Sequence, residues 1–569
     1  MAIRTVKEQL QTLVQEAMNS LYQEGFLQGE PTSIFIEPPK QASHGDFACT
    51  AALGLAKAAR KNPREIAARL QDAIPENTLV ARTEIAGPGF LNFFINASAW
   101  QDALVDVLNH GETYLHSDFG KGKRVLVEYV SANPTGPLHF AHGRGAVLGD
   151  VVSRMLSCIG FDVVREYYVN DQGNQTTVLA QSIYIRYQEL FGQEPQHPED
   201  FYPGDYIKEI ARVLGEELGD KYLNKPEELW LEPFKTRGIE LMRTRIKDDL
   251  NALGVEFDSW ISEKELTDEL DLDKVIGRIA EKGHIFVDEG KTWFKTSDFG
   301  DDKDRVVKRE DGRTTYFASD IAYHDNKIDR GFSHLINLWG ADHGGYIARV
   351  KAGLSALGHD PAALEILLLQ MVSLSRGGVK VRMGKRLGTA VWLRDVISEA
   401  GKDATRYFFL MRRSDAQMDF DIDLAAKKSL DNPVYYAQMG HARMCSIAKK
   451  AQEAGYTTPP VSAEALRALV LPEELGLIKT MLRSPTVLRD AALNREPHQV
   501  VHFIQALIAQ FHSYYSQYSK TERVISDDRE KTIARLLLCR ALQSTLKCFL
   551  DLLGVDAPEQ MYLEDATRN

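Results

Sequence analysis

Two histidines three residues apart, His139 and His142, stand in a segment rich in glycine and proline, "ANPTGPLHFAHGRGA". The apolar run "RVLVEYV" precedes this segment and a stretch of helical periodicity follows it, so the histidines fall at a helix N-terminus. Residues three apart share a helix face, and the N-terminus of a helix favours anions. The pattern therefore predicts that both imidazoles donate hydrogen bonds to a chain of phosphates.

A second group of candidate phosphate ligands is basic. Arg382, Lys385 and Arg386 lie among glycines in "VRMGKRLGT", which follows the apolar run "EILLLQMVSL". Residues 376 to 413 contain ten lysines and arginines against three acidic residues, a local balance of +7 in a chain with a net charge of −12. A solvated run of charge is the plainer explanation, but glycine-flanked cations after a strand favour a phosphate clamp.

The elements that must position these residues alternate between strand and helix. The run "RVLVEYV", the loop, the helix and a second strand, "DVVREYYVN", form a βαβ unit of the doubly wound type. Two further strand candidates, "HLINLWG" and "EILLLQMVSL", also end in glycine-rich polar stretches. Ligands bind beyond the carboxyl ends of such strands, so we expect the three loops to meet at one crevice.

The length of 569 residues is too great for one core and predicts several domains. Residues 1–110 alternate strand and helix signals, with strands expected at "SIFIEPP" and "EIAGPGFLNFFIN" and helix between them, which predicts an α+β domain. Residues 111–430 predict an α/β domain of the Rossmann type, a doubly wound parallel sheet, with a polar helical insertion at about 176–265. Residues 431–569 show helical periodicity and predict an all-α bundle.

Several classes of protein are disfavoured by composition. No apolar run approaches the length of a membrane span, and the N-terminus has helical apolar spacing without a signal-peptide core. The five cysteines show neither CxxC nor zinc-ligand spacing, which predicts a reducing compartment and no structural zinc. We therefore expect a cytoplasmic protein without a membrane partner.

The segment "LHFAH" resembles the HIGH signature of class I aminoacyl-tRNA synthetases, and "RMGKR" resembles their KMSKS loop. The surrounding segments are similar to those of arginyl-tRNA synthetases, and the likeness extends over nearly the whole chain. It is carried by "EYVSANPTGPLHFAHGRGA", "EYYVNDQGNQ", "YFASDIAYH", "WGADHGGY", "DATRYFFLMR", "NPVYYAQMGHARMCSIA", "AGPGFLNFFIN" and "LLGVDAPEQM".

This resemblance implies an enzyme that joins L-arginine to ATP, releases pyrophosphate and transfers the arginine to the 3′ end of tRNA(Arg). ATP would come with Mg²⁺, and no residue is expected to ligate a metal. The first domain would touch the body of the tRNA, and the helical bundle would bind the anticodon. Similar enzymes are monomers, so a monomer is expected.

The resemblance also assigns site residues, by the positions that match the family's motifs. The expected catalytic residues are His139, His142 and Lys385. The arginine pocket would contain Glu128, Ser131, Asn133, His142, Tyr316 and Asp320. The ATP site would contain His139, Gly143, Asp342, His343, Met383 and Lys385. The tRNA would be contacted by Tyr435, Tyr436, Gln438 and Arg443, for which packing between helices is an equally good explanation.

Three positions depart from the family's signatures. Ala141 replaces a glycine that lets the ATP base approach the backbone, so either modestly weaker ATP binding or a small shift that absorbs the methyl group is expected. In the second signature Arg382 replaces a lysine and Gly384 replaces a serine, which keeps the charge but adds backbone freedom. These changes bear on affinity and timing rather than on the type of reaction.

Two other functions compete with this one. The first is another class I synthetase, of which the cysteinyl type would need zinc ligands that the sequence lacks. The second is an inactive synthetase-like protein kept for RNA binding. Both histidines, Lys385 and the carboxylates expected in the arginine pocket are present, so the sequence shows no sign of lost catalysis.

Overall fold

The structure is a computed structural model that describes residues 5–28, 34–381, 391–457 and 460–562. Its N-terminal part is a four-stranded antiparallel sheet of order β1-β2-β4-β3, with helices packed against it. The elements are α1 (Val6–Gln23), β1 (Ile36–Glu37), β2 (Phe47–Cys49), α2 (Ala51–Ala59), α3 (Pro63–Ala73), β3 (Val80–Ala86), β4 (Phe90–Ile95) and α4 (Ala97–His110).

The helical stretch predicted between the first strands is interrupted twice. Its beginning belongs to β2, which pairs with β4. Arg60 then takes a left-handed conformation with φ of +50° and ends α2, while the Asn62 side chain accepts the N–H of Arg64 and Pro63 opens α3. Proline suits the first position of a helix but not its interior, so "KNP" is a boundary between two helices.

A five-stranded parallel sheet of order β12-β11-β5-β6-β7 forms the middle of the molecule and confirms the predicted parallel fold. The order runs one way from β5 to β7 and the other way from β11 to β12. The switch point therefore lies between the carboxyl ends of β5 and β11, where Glu128 is in register with Asn337. The strands are β5 (Arg124–Glu128), β6 (Asp162–Val169), β7 (Ser259–Ser262), β11 (His334–Gly340) and β12 (Leu364–Leu369).

Helices connect these strands, and two small sheets flank them, β10-β9-β8 and β14-β13-β15. The helices are α5 (Phe140–Cys158), α6 (Asn174–Leu190), α7 (Asp205–Leu218), α8 (Glu227–Ala252), α9 (Glu263–Glu269), α10 (Leu272–Glu281), α11 (Tyr316–Asp329), α12 (Ile347–Leu357), α13 (Leu393–Ala400), α14 (Lys402–Leu410) and α15 (Ile422–Ala426). The flanking strands are β8 (Ile285–Asp288), β9 (Lys291–Phe294), β10 (Arg305–Lys308), β13 (Val372–Arg376), β14 (Val379–Lys380) and β15 (Met418–Asp421).

The apolar run "EILLLQMVSL" is two strands rather than the single strand expected. It is broken at Gln370 and Met371, and β13 leaves the main sheet to pair in parallel with β15. The buried guanidinium of Arg144 holds this break, because it donates to the carbonyl oxygens of Gln370 at 3.0 Å and Ala416 at 2.9 Å. An uninterrupted apolar run carries no signal for such a change of sheet.

The C-terminal part is helical from α16 (Pro433–Glu453) onward, with α17 (Ala463–Leu466), α18 (Pro472–Met481), α19 (Ser484–Asn494), α20 (Pro497–Gln517) and α21 (Arg529–Leu553). Its buried side chains form one continuous core with those of α1, α4, α5 and α14. Within the described parts of the chain, no helix combines the length and apolarity that a membrane crossing requires.

Arg406 in α14 ties the helical part to the main sheet. Its fully buried guanidinium pairs with Asp150 of α5 at 2.5 Å and donates to the carbonyl oxygens of Leu553 at 2.8 Å and Leu253 at 3.0 Å. It thus joins the ends of α8 and α21 to α5. A charge buried with one carboxylate and several carbonyl groups cannot be removed without leaving its partners unsatisfied.

We expect Arg406→Met to destabilise the protein by about 3–5 kcal/mol, the cost of breaking a buried ion pair. Arg154→Met is the matched control, since Arg154 contacts the same Asp150 at 2.9 Å from a half-exposed position. Its loss should cost about 1 kcal/mol or less. The midpoint of thermal unfolding measures both changes. Equal shifts for the two variants would contradict the structural role given to Arg406.

Candidate active site

The loop after β5 is held in a strained turn. Val130 and Ser131 have φ of +68° and +39°, and the N–H of Ser131 donates to the carbonyl oxygen of Tyr129 at 3.0 Å. A β-branched residue rarely adopts a positive φ, and such strain costs about 1–3 kcal/mol for each residue. The turn brings the Ser131 hydroxyl back to Glu128 Oε1 at 3.0 Å. The backbone strain therefore lies directly beside a predicted site residue.

Glu128 lies buried at the carboxyl end of β5, at the switch point of the sheet. Besides Ser131, it accepts a hydrogen bond from Lys327 Nζ, which lies 2.5 Å from Oε2. Lys327 is fully buried on α11. The motifs in the sequence do not single out Lys327, although it follows Asp320 by seven residues and so lies on the same helix face.

Asp320 faces this region from α11. It accepts a hydrogen bond from the hydroxyl of Tyr346. Burial raises the pKa of the Asp320 carboxyl to about 6; the neighbouring Glu128 charge adds to this, and Tyr346 and Lys327 oppose it. Among the described residues Asp320 has no ion-pair partner; its charge is offset only by the Tyr346 hydrogen bond and by the more distant charges of Lys327 and His343.

Glu263 is a third carboxyl group here, and no motif in the sequence points to it. It is buried at the start of α9, immediately after β7. Burial and the charges of Asp320 and Asp171 raise the pKa of Glu263 to about 7. Because β7 is parallel to β5, the rule that ligands bind at carboxyl ends of strands also points to Glu263. The stretch about 176–265 was interpreted as an insertion, which hid that signal.

Asn133 and Tyr316 both lie close to the segment where β6 leads into α6. The Asn133 amide donates to Gln175 Oε1 at 2.8 Å. Tyr316 is exposed at the first turn of α11, and a Cβ added to Gly173 would lie 2.8 Å from its hydroxyl oxygen. Gly173 also has φ of +85°, so this position needs glycine on two grounds. The loop thus links two predicted residues that the chain separates widely.

The two histidines open α5 as predicted. The N–H of His139 donates to His142 Nδ1 at 3.1 Å, and the ring centroids are 5.5 Å apart. Since Nδ1 accepts, the proton of the neutral His142 ring belongs on Nε2, which makes Nε2 a donor. This is the tautomer that a phosphate oxygen requires. Ala141 between them is exposed.

Residues 391–393, which follow the basic segment "VRMGKRLGT", contact the loop that carries His139 and His142. The N–H of Phe140 donates to the carbonyl oxygen of Val391 at 3.0 Å, and the N–H of Leu393 donates to that of Leu138 at 2.9 Å. The rings of His139 and Trp392 are 5.2 Å apart. Met383 and Lys385 lie outside the described residues. The junction nevertheless supports the expectation that both signatures serve one site.

The other residues predicted to bind ATP differ in their exposure: one is buried and two are exposed. Gly143 is buried, and an added Cβ would lie 2.6 Å from Leu393 Cδ1, so its lack of a side chain serves the packing of α5 against α13. Asp342 and His343 are exposed in a short helix after β11, 3.6 Å apart. The charge of His343 reaches Asp320 and lowers the pKa of that carboxyl somewhat.

The residues predicted to contact tRNA divide into two pairs. Tyr435 and Gln438 are buried; the Tyr435 hydroxyl donates to the carbonyl oxygen of Tyr562, and Gln438 donates to Asp403 and to the carbonyl oxygen of Asp556. Tyr436 and Arg443 are only half-buried and contact the rings of His512 and Tyr515.

Packing explains the first pair of residues fully in this conformation. The prediction of tRNA contact applies better to Tyr436 and Arg443, since an RNA base needs an accessible ring or cation.

Comparison with known proteins gives three family matches along the chain. Residues 8–95 match the arginyl tRNA synthetase N terminal domain, residues 103–446 the catalytic domain of class I (R) tRNA synthetases, and residues 437–561 the DALR anticodon binding domain. The arginine–tRNA ligase of an Anaeromyxobacter species (strain Fw109-5) is 46% identical over 593 residues, covering 98% of each chain. That of Syntrophotalea carbinolica is 45% identical over 558 residues, covering 98% of this chain and 100% of the relative.

Solved structures share the architecture. Thermus thermophilus arginyl-tRNA synthetase superposes with a TM-score of 0.71 at 23% identity, covering 97% of this chain and 99% of that one. The Plasmodium falciparum enzyme superposes with a TM-score of 0.74 at 16% identity, covering 99% and 100%. At these identities the likeness concerns the fold.

Proposed function

The chain belongs to the arginyl-tRNA synthetases, class I ligases that join arginine to tRNA, and from this premise we propose that the crevice between β5 and β11 is where arginine is activated. The observation that carries the proposal is the group of carboxyl groups there. Glu128, Asp320 and Glu263 come from three elements to one place, and Lys327 is paired with only one of them. A planar cation that pairs with two carboxylates suits such a pocket.

In this proposal the guanidinium of arginine pairs with Asp320 and with Glu128, whose Oε1 is oriented by Ser131. Asn133 and Tyr316 would flank the bound amino acid, next to the loop between β6 and α6. Glu263 strengthens the negative potential of the pocket, because its charge raises the pKa of the nearby Tyr168 hydroxyl. Bringing a cation among desolvated carboxylates also relieves their mutual repulsion.

ATP would bind beside this pocket, at the N-terminus of α5. His139 and His142 would donate to the phosphates, and Lys385 and Met383 would approach from the second signature. Asp342 and His343 would border the nucleotide. Mg²⁺ would enter with ATP; within the described residues no three acidic, histidine or cysteine side chains lie close enough to hold a metal. Displacement at the α-phosphorus needs positioning and stabilisation of negative charge, which these donors supply.

We propose domain limits of 1–110, 111–430 and 431–569, with roles in tRNA body contact, catalysis and anticodon binding. The continuous core between the bundle and α5 supports transmission of tRNA binding to the site but also means that deleting the bundle would uncover buried residues. Substitution of Tyr436 or Arg443 is therefore a cleaner test of tRNA contact than truncation. A monomeric, cytoplasmic protein is the form that the resemblance favours.

The proposal is tested by ATP–pyrophosphate exchange with arginine and tRNA(Arg). Glu128→Gln should raise the KM for arginine sharply and leave the KM for ATP nearly unchanged, because Glu128 would touch only the amino acid. An unchanged arginine KM in the folded variant would remove Glu128 from the pocket. Equal rises in both KM values would point to a general disturbance of the crevice.

Arginine binding should weaken as pH falls. The pKa values of Asp320, about 6, and Glu263, about 7, mean that both groups lose negative charge between about pH 7 and pH 5. A cation prefers the charged forms, so kcat/KM for arginine should fall with pH through this range. The titratable and charged groups facing Asp320 are Glu128, Lys327, Tyr346, His343, Glu263 and Tyr168. Asp320→Asn should make the fall of kcat/KM with pH smaller. Parallel pH profiles of kcat/KM for the wild type and the variant would contradict this prediction.

A further inference from the structure

The buried ion pair behind the pocket is not explained by substrate contact. Lys327 Nζ is fully buried and lies 2.5 Å from Glu128 Oε2 and 3.3 Å from Asn337 Oδ1, over the ring of Tyr323 at 4.2 Å. These neighbours use the directions in which an ammonium group can donate. Lys327 thus serves protein groups only, and it contacts Glu128 Oε2 while Ser131 contacts Oε1.

A chain of hydrogen bonds fixes the orientation of this arrangement. His324 Nδ1 lies 2.8 Å from the carbonyl oxygen of Asp320, which can only accept, so Nδ1 carries the proton. His324 Nε2 must then accept from the Asn337 amide, 2.9 Å away, which turns Asn337 Oδ1 toward Lys327. Burial and the charge of Lys327 lower the pKa of His324 to about 3, so the ring stays neutral at physiological pH. Each hydrogen bond in this series therefore has a defined donor and a defined acceptor.

This series of hydrogen bonds also connects the two residues whose carboxyl groups are proposed to bind arginine. It begins at the backbone of Asp320, passes through His324, Asn337 and Lys327, and ends at Glu128. Both ends lie on rigid elements, α11 and the end of β5. The distance between the two carboxyl groups decides whether a guanidinium can pair with both of them.

We infer that Lys327 is a positioning residue for arginine binding, which holds Glu128 in place so that its Oε1 faces the guanidinium of the substrate. This inference rests on the proposed role of Glu128 in the pocket. Lys327 acts through Glu128 and touches neither substrate. Its effect should therefore fall on the KM for arginine and spare ATP.

The test uses the full-length enzyme in ATP–pyrophosphate exchange with tRNA(Arg). Lys327→Met should raise the arginine KM by about tenfold or more, as expected when a charged hydrogen bond is lost, with the ATP KM within about twofold of wild type. Lys327→Arg keeps the charge and should lie closer to wild type than Lys327→Met. Arg278→Met is the matched control, since Arg278 pairs at 2.5 Å with Asp325, a buried carboxylate on another face of α11. It should lower stability and leave the arginine KM unchanged.

A double variant, Glu128→Gln with Lys327→Met, separates positioning from folding. It removes both buried charges, so its thermal unfolding midpoint should recover relative to Lys327→Met. Its arginine KM should equal that of Glu128→Gln, because a residue that acts through Glu128 adds nothing once that carboxylate is gone. An arginine KM well above that of Glu128→Gln would overturn the inference, and this comparison decides the matter if Lys327→Met alone does not fold.

The inference and the proposed function fail in distinguishable ways. An arginine KM raised by Glu128→Gln but not by a folded Lys327→Met would overturn the role of Lys327 and leave the pocket intact. An arginine KM unchanged by Glu128→Gln would overturn both. If Lys327→Met raises the KM for ATP and the KM for arginine equally, Lys327 only supports the fold.

Discussion

We expect kcat/KM for arginine to exceed that for lysine, ornithine and citrulline by about three orders of magnitude or more in ATP–pyrophosphate exchange. The reason is the set of carboxylate acceptors on Glu128, which is buried, and on Asp320, which is half-buried. A guanidinium offers planar, paired donors to two carboxylates, whereas an ammonium satisfies only part of them. Each charged acceptor left unpaired costs about 1–3 kcal/mol or more. Citrulline also lacks the charge that offsets the desolvation of the carboxylates.

The control for this prediction removes one of the two acceptors. Asp320→Asn should raise the arginine KM strongly and narrow the gap between arginine and citrulline, because the pocket then holds less negative charge. Asp311→Asn, which alters an exposed carboxylate paired with Arg313 shortly before α11, should change neither. Activation of lysine within about tenfold of arginine would refute the pocket, given that a single tenfold step corresponds to only about 1.4 kcal/mol.

The second large effect concerns His142. His142→Ala should slow adenylate formation by at least about a hundredfold, the scale for removing one preorganised donor to a developing negative charge. The protonated Nε2 implied by the contact between Nδ1 and the N–H of His139 is the group that is lost. Loss of the hydrogen bond between His139 N–H and His142 Nδ1, at the N-terminus of α5, should cost only about 1 kcal/mol of stability.

Single-turnover measurement of adenylate formation isolates this step from tRNA charging. His110→Ala is the matched control, because His110 is exposed at a helix end and its Nδ1 also contacts backbone, the carbonyl oxygen of Asp106 at 2.8 Å. It should leave the rate unchanged. A His142→Ala enzyme that forms adenylate at the wild-type rate would remove this histidine from the mechanism.

Local patterns in the sequence were enough to predict the elements around the histidine loop. The valine-rich run, the glycines and prolines after it and the following helical periodicity correspond to β5, the strained turn and α5. The parallel sheet and its crevice followed from the strand signals. Glu128 and Asp320 could be named only because their motifs resemble those of a family; as isolated residues they resemble many surface carboxylates.

The partners of those carboxylates could not be predicted, since they depend on packing between distant segments. Lys327 meets Glu128 across 199 positions of sequence, and Tyr346 reaches Asp320 from another element. Glu263 was overlooked because β7 is only four residues long and follows a long helical segment. Tyr435 and Gln438 are residue types that are common on RNA-binding surfaces, but residues Asp556 and Tyr562 near the C-terminus accept hydrogen bonds from them.

The most direct test of the central claim is a crystal structure of the protein with arginine bound. We predict that the guanidinium nitrogens lie within hydrogen-bonding distance, about 2.7–3.2 Å, of the carboxylate oxygens of Asp320 and of Glu128 Oε1. Lys327 should remain on Glu128 Oε2 in that complex. Arginine bound with its guanidinium away from both carboxylates, in a crystal with this crevice open to solvent, would contradict the account.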